Sequence, residues 1–247
     1  MSEETINTIR KHVFESVVPL RISIAESPVP LCFNAPRNST LGLFVYSKIS
    51  VFLPEDTRNI WFSYDFKPVK WTLPIGVLYD VLIPSSDEFT PLRIEVKTAD
   101  FPEGNIIRCE SQEIASYYFC HSFKESLFLT DKNMDLTQRN AGLHQNIVKA
   151  VDQHDYETYK ELFSLRFDNP ISQWDKWPIR IVKSDLTIVQ AYLQVEPGQT
   201  VSTILNARNL DSNEVIINGV SIKKDAPLEE VVPILLGADG FIYIVLK

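Results

Sequence analysis

Pro19-Leu20-Arg21-Ile22, near the start of the chain, is answered by Pro178-Ile179-Arg180-Ile181 in its last third. A second echo follows each of these in the same order. Pro74 opens an apolar set at Ile75, Leu78, Tyr79 and Leu82, and Pro227 opens one at Leu228, Val231, Val232 and Leu235. Spacing of i, i+3, i+4, i+7 gathers each set into one stripe of a helix, behind a proline suited to a helix start. Two signals recurring in one order indicate a duplicated module.

Working outward from the echoes gives the plan of each module. Leu20, Ile22 and Ile24 alternate with Arg21 and Ser23, as a half-buried strand requires, and the Glu26-Ser27-Pro28 turn leads to a second apolar run through Phe33. A crossover helix is expected over 40–52, against the propensity of Gly42 and several β-branched residues. Strand 60–64, a turn at 65–68, a short strand at 69–71, the Pro74 helix and a closing strand over 91–96 complete the first module. In the second, strands 179–183 and 188–195 flank Ser184-Asp185. A helix over 201–208, strand 214–218, the Asn218-Gly219 turn, the Pro227 helix and strand 241–246 follow. The last strand is apolar on both faces, which predicts a place in the middle of its sheet.

The order strand-strand-helix-strand-short helix-strand is that of the ubiquitin-like β-grasp. Between the copies, three helices are expected. One carries Ile114, Tyr117, Tyr118 and Leu127, one Leu143, Ile147 and Val151, and one, behind an Asp155 cap, Tyr159, Leu162 and Phe163. Polar residues 131–140 read as an exposed break. The predicted fold is therefore α+β: an N-terminal helix over 1–18, a first ubiquitin-like domain over 19–108, a helix-rich domain over 109–174 and a second ubiquitin-like domain over 175–247. The N-terminal helix has a thin stripe, Ile6, Ile9 and Val13, too little apolar surface to fold alone. It must lie on its own protein or on a partner.

Composition excludes several classes. The 247 residues carry a formal charge of −8, which opposes general nucleic-acid binding by counterion release and strong unaided adhesion to anionic lipid. Lys223-Lys224 reads as a solvated turn. No run approaches the roughly 20 apolar residues of a membrane span. Met1-Ser2-Glu3-Glu4 is acidic and unlike a signal peptide, so a cytosolic location is expected. Three cysteines, Cys32, Cys109 and Cys120, without a C-x-x-C pair, fit neither a disulfide scaffold nor a zinc site.

Chemistry is hard to find. Phosphate-binding glycine loops and H-E-x-x-H are absent, and no metal or cofactor is expected. Cys120 and His121 are adjacent, so on a helix they diverge by about 100° and cannot act as nucleophile and base. Cys120 reads as a structural cysteine, and His144 and His154 as solvated histidines. Trp61, Phe62, Tyr64, Phe66 and Trp71 form a dense aromatic group, expected to divide between core and partner surface. The residues favour a binding protein with no catalytic residue. A hydrolase or transferase with a scattered site, and a ubiquitin-like adaptor that is never itself conjugated, are the competing classes.

The block Ile60-Trp61-Phe62-Ser63-Tyr64, Pro68-Val69-Lys70-Trp71 and Pro74-Ile75-Gly76-Val77-Leu78-Tyr79-Asp80-Val81-Leu82 resembles the signature of the autophagy protein five family. Pro36-Arg37-Asn38-Ser39, and Phe101-Pro102-Glu103 followed by Cys109, resemble further landmarks. The resemblance implies a scaffold and conjugation acceptor. One of its lysines would be joined by an isopeptide bond to the C-terminal glycine of the ubiquitin-like autophagy protein twelve. Matching positions puts the acceptor at Lys124, in Cys120-His121-Ser122-Phe123-Lys124-Glu125, with Lys132 and Lys149 as the nearest competitors. The resemblance further implies that the conjugate binds the N-terminal helix of the coiled-coil autophagy protein sixteen. It would then promote lipidation of autophagy protein eight with phosphatidylethanolamine by positioning the conjugating enzyme, autophagy protein three. Such a protein would be cytoplasmic and recruited to the pre-autophagosomal membrane as a peripheral component. The expected coiled-coil site is a groove between the two β-grasp modules, helped by Ile6, Ile9 and Val13.

Overall fold

The computed structural model describes residues 3–24, 27–53, 60–84, 89–104, 106–131, 141–164 and 170–247. Helix α1, Glu3–Glu15, precedes the first sheet. That sheet is built from β1 (Val17–Ile24), β2 (Leu31–Pro36), β3 (Trp61–Tyr64), β4 (Lys67–Val69) and β5 (Leu92–Lys97), in the order β2-β1-β5-β3-β4. Strand β1 runs parallel to β5, with Leu20 opposite Leu92 and Ile22 opposite Ile94. These inward residues are fully buried. Arg21 and Arg93 point outward.

A helical layer crosses this sheet. It runs as a π-helical turn at Leu41–Val45, then α2 (Tyr46–Ile49), then a 3-10 turn at Ser50–Phe52. The expected single helix over 40–52 is thus three short pieces. Gly42 explains the tight start: a Cβ there would stand 2.5 Å from the Trp71 ring and 2.9 Å from Ala115. The glycine that weakens the helix by propensity is what lets it seat on Trp71 and the middle domain. Helix α3, Ile75–Leu82, completes the layer.

The second module repeats the arrangement. Its sheet comprises β6 (Ile179–Val182), β7 (Ile188–Ala191), β8 (Val215–Ile217), β9 (Val220–Ser221) and β10 (Ile242–Leu246), ordered β7-β6-β10-β8-β9. Its helices, like those of the first module, are placed by a threonine. Thr40 accepts from the Leu43 N–H and bridges to Pro74, while Thr200 accepts from the Thr203 N–H and bridges to Pro227. In each copy one residue caps the crossover helix and pins the start of the proline-led helix. The helices of the second copy are α7, Val201–Asn206, and α8, Leu228–Leu235.

Strand β10 lies in the middle of its sheet, as its two apolar faces predict. Ile242, Ile244 and Leu246 enter the core of the second module, while Tyr243 and Val245 join Val182 and Ile216 in the core of the first. The second sheet is therefore buried on both faces, and α3 packs against β10. Between the modules lie α4 (Gln112–Thr130), capped by Ser111, α5 (Ala141–Asp152) and α6 (Tyr156–Ser164). The expected break at 131–140 falls, beyond Asp131, outside the described residues.

Several local readings change. Strand β4 runs Lys67–Val69, two residues earlier than the expected 69–71. Asp65 and Phe66, both at positive φ, make a two-residue turn that starts β4 at once. Trp71 is then released from the sheet as a fully buried plug, its indole N–H donating to the Ile107 carbonyl at 2.7 Å. Of the five aromatics, Trp61, Phe62 and Trp71 are buried, Tyr64 is half-buried, and Phe66 is 84% exposed at its turn. His144 is buried against Phe123, where a solvated residue was expected. His154 is half-buried, 3.0 Å from the Phe14 carbonyl.

Candidate partner groove and acceptor lysine

Two polar clusters hold the modules together and thereby shape the candidate sites. In the first, one guanidinium nitrogen of Arg37, Nη2, donates to both carboxylate oxygens of Asp80 of α3 at 2.5 Å, and the Asp80 carboxylate also accepts from the Gly219 N–H at 2.9 Å. Only 9% of the Arg37 side chain and 6% of that of Asp80 remain exposed. Burial pushes the Asp80 carboxyl up, and Arg37 and Gly219 pull it back toward the ionised form. Gly219 sits at φ +80°, and a Cβ on it would stand 2.8 Å from the Arg37 guanidinium. The Asn218-Gly219 turn must therefore be glycine both for its backbone and for this approach.

The second cluster centres on Arg180. Its guanidinium donates to Ser122 at 2.8 Å, Tyr243 at 3.0 Å and Glu125 at 2.7 Å, and stacks 3.6 Å over the Phe241 ring. Asp239 accepts from Ser122 and Tyr243. Glu125 also takes Gln190 of β7. Helix α4 is thus fastened along one side to the outward face of the second sheet.

Lys124 lies on α4 between two residues that fix the helix. Phe123 is in the core, and Glu125 is in the Arg180 cluster. The Lys124 side chain is half-buried and enters no hydrogen bond or ion pair among the described residues. Its charge is felt by Cys120 one turn earlier. Helix α4, held on either side of Lys124 by Phe123 and Glu125, thus carries an amine without a partner among the described residues. Of the competitors, Lys149 is exposed on α5, and Lys132 lies outside the described residues.

The cysteines differ sharply. Burial pushes the Cys109 thiol up to about 12 and also raises Cys120, whereas Cys32 is exposed. At pH 8 this leaves Cys109 with roughly a thousandfold less thiolate than an ordinary cysteine of pKa about 8.5. Iodoacetamide should therefore label Cys32 in the native protein and reach Cys109 only on unfolding, as peptide mapping would show. Equal labelling rates would contradict this environment.

A groove of about 550 Å³ runs between α1, α6, α8 and the segment 170–174. Val13, Phe163, Ile171, Trp174, Ile234 and Leu236 give it apolar walls, with Glu3, Arg10 and Lys160 among the polar lining residues. Of the three residues expected on the N-terminal helix, Val13 lines this groove. Ile6 and Ile9 are half-buried on the same helix but do not line it. The anchor of α1 is instead Phe14, which stacks on Tyr159 at 4.5 Å and lies against His154 and Tyr156. Burial raises Tyr159 well above the ordinary tyrosine range, so it stays neutral. Arg10 ties α1 to the second module by donating to the Pro233 carbonyl near the end of α8. Arg10 and Phe14 went unread because their partners lie far along the chain.

The groove therefore lies between α1, α6 of the middle domain and α8 of the second module, with Asn38 from the first module, rather than between the two β-grasp modules as expected. Two β-grasp sheets locked onto a helical middle define a tandem ubiquitin-like protein. Residues 13–98 match the sequence profile described as "Autophagy protein ATG5, UblA domain", and residues 134–246 match "Autophagy protein ATG5, UblB domain". The chain is 24% identical to a protein of Aspergillus terreus named autophagy protein 5, across 99% of this chain and 98% of that one. It is 29% identical to autophagy protein 5 of Arabidopsis thaliana over 62% of this chain and 48% of that protein. The crystal structure of Kluyveromyces marxianus Atg5 superposes with a TM-score of 0.83 at 19% identity, covering 98% of this chain and all of that one. The chain belongs to the autophagy protein 5 family, and its role lies in autophagy.

Proposed function

We propose that this protein is a scaffold and conjugation acceptor in autophagosome formation. The ubiquitin-like autophagy protein twelve would be fastened to Lys124 by an isopeptide bond. The groove between α1, α6 and α8 would seat the N-terminal helix of the coiled-coil autophagy protein sixteen. The assembled conjugate would position autophagy protein three so that autophagy protein eight is joined to phosphatidylethanolamine. Its contribution is geometry: tethering supplies effective concentration to weak contacts without new affinity. The observation that carries this reading is the groove itself. It is walled by three helices, with Val13, Phe163, Ile171, Trp174, Ile234 and Leu236 as an apolar part beside Glu3, Arg10 and Lys160, a lining that suits an amphipathic helix. No described helix is long and apolar enough to cross a membrane. Recruitment of a cytoplasmic pool to the pre-autophagosomal membrane, as a peripheral component, would then run through the partners.

Calorimetry with the coiled-coil helix tests the groove. Val13→Glu and Ile234→Glu should each weaken binding by about 30-fold or more, the roughly 2 kcal/mol of a buried anchor. Conjugation at Lys124 should be unchanged. Equal affinity in both variants would remove the groove from the proposal. Removal of residues 1–16 should also weaken binding, because it takes away Val13 together with the Phe14 anchor.

A further inference from the structure

The outward face of the second sheet is covered by α4, whereas among the described residues no helix lies over Arg21 and Arg93 on that of the first. On the second, Arg180 stands beside Tyr243 across β6 and β10 and beside Gln190 across β6 and β7. Helix α4 lies over this row and presents Glu125 to both Arg180 and Gln190. Arg21 holds the same place in the first module, beside Arg93 across β1 and β5 and beside Cys32 across β1 and β2. All three side chains are exposed.

Two guanidinium groups at directly paired sheet positions repel each other. The carboxylate on that face, Glu95, is already engaged by Lys97 at 2.7 Å and by Ser63. Neither Arg21 nor Arg93 has a carboxylate partner among the described residues. Arg21 itself edges a shallow trough of about 590 Å³ whose other walls are Pro19, Leu20, Pro30, Phe33 and Pro91, with Cys32 and Asn34. A basic pair at the edge of a largely apolar trough, on a chain of net charge −8, is a local positive site suited to a carboxylate-bearing partner.

We propose that the outward face of the first sheet, centred on Arg21 and Arg93, docks a carboxylate-bearing amphipathic helix of a partner protein. The molecule supplies its own precedent: α4 on the second sheet meets the equivalent arginine with a glutamate while its apolar side enters the core. The partner's acidic residues would take the two guanidinium groups, and its apolar residues would fill the trough. This surface is independent of Lys124 and of the α1-α6-α8 groove.

The test uses the full chain as bait for a display library built on a three-helix scaffold with one helix face randomised. Selected clones should combine Asp or Glu with apolar residues. Their affinity should fall at least tenfold for the double variant Arg21→Ala, Arg93→Ala, and also on raising salt from about 50 mM to about 500 mM. Both arginines are exposed, so the thermal midpoint of the variant should match the wild type. Arg21→Gln, Arg93→Gln gives a second check should alanine perturb the sheet. Clones without acidic residues, or acidic clones indifferent to both variants, would overturn the proposal. So would sedimentation with phosphatidylserine vesicles that depends on the two arginines while the library yields no acidic helix.

Discussion

Arg37→Ala is expected to destabilise the protein by about 3–5 kcal/mol, the loss that follows when one partner of a buried ion pair is removed. The Asp80 carboxylate, only 6% exposed, would keep the Gly219 N–H as its close donor among the described residues. For a chain of this size the thermal midpoint should drop by roughly 10 °C. The pH dependence has a definite sign. Without Arg37, burial holds the folded-state pKa of Asp80 further above its unfolded value. A raised acid contributes stability below the unfolded pKa and loses it as pH rises through the folded pKa. The deficit of the variant should therefore shrink as pH falls from 7 toward 4 and be largest at neutral pH. Replacing both partners, Arg37→Met with Asp80→Leu, should be milder than either single change, because no charge is left stranded. Denaturant titration of the wild type, Arg37→Ala, the two single changes Arg37→Met and Asp80→Leu, and the double variant would decide it. A loss under 1 kcal/mol for Arg37→Ala would mean that the pair does not lock the modules.

The residues of this lock show how far the sequence can be read. Pro36-Arg37-Asn38-Ser39 stands out as a landmark by resemblance, yet its purpose is spatial. Arg37 meets Asp80, Asn38 accepts from the Ala238 N–H 200 positions away, and the Ser39 carbonyl receives the Ile75 N–H. Periodicity reveals strands and helix stripes because those depend on neighbours within one turn or one pleat. That is why the echo at Arg21 and Arg180, the proline-led helices and the central position of β10 were legible. The same periodicity cannot say that Gly42 is a packing site for Trp71, or that His144 turns inward onto Phe123. Those depend on which helix arrives from elsewhere. The groove was legible only as an idea, since its walls come from four separate stretches of chain. Val13 was found because it lies on an amphipathic stripe, while Phe14, one residue on, falls outside the Ile6, Ile9, Val13 spacing.

Lys124→Arg is expected to abolish the covalent, reductant-resistant upshift on a denaturing gel in cells that carry the conjugation machinery. Arginine keeps the charge and much of the length, so fold and groove binding should be unchanged. Its guanidinium cannot lose a proton under these conditions and is not a nucleophile for a thioester. The all-or-none size of the effect rests on the placement of Lys124. Phe123 and Glu125 on either side hold α4 to the core and to Arg180, so the amine is offered from a fixed position. Lys149, on another helix, would present its amine from a different place. Lys149→Arg should accordingly leave the upshift intact. An upshift in Lys124→Arg equal to wild type would move the acceptor, and none in the wild type would favour an adaptor that is never conjugated.

Mass-spectrometric mapping of the branched peptide from the native conjugate puts the account to its most direct test. The account predicts a C-terminal glycine remnant on Lys124 and on no other lysine. A remnant on Lys149 or elsewhere, or a conjugate without any branched peptide, would contradict it.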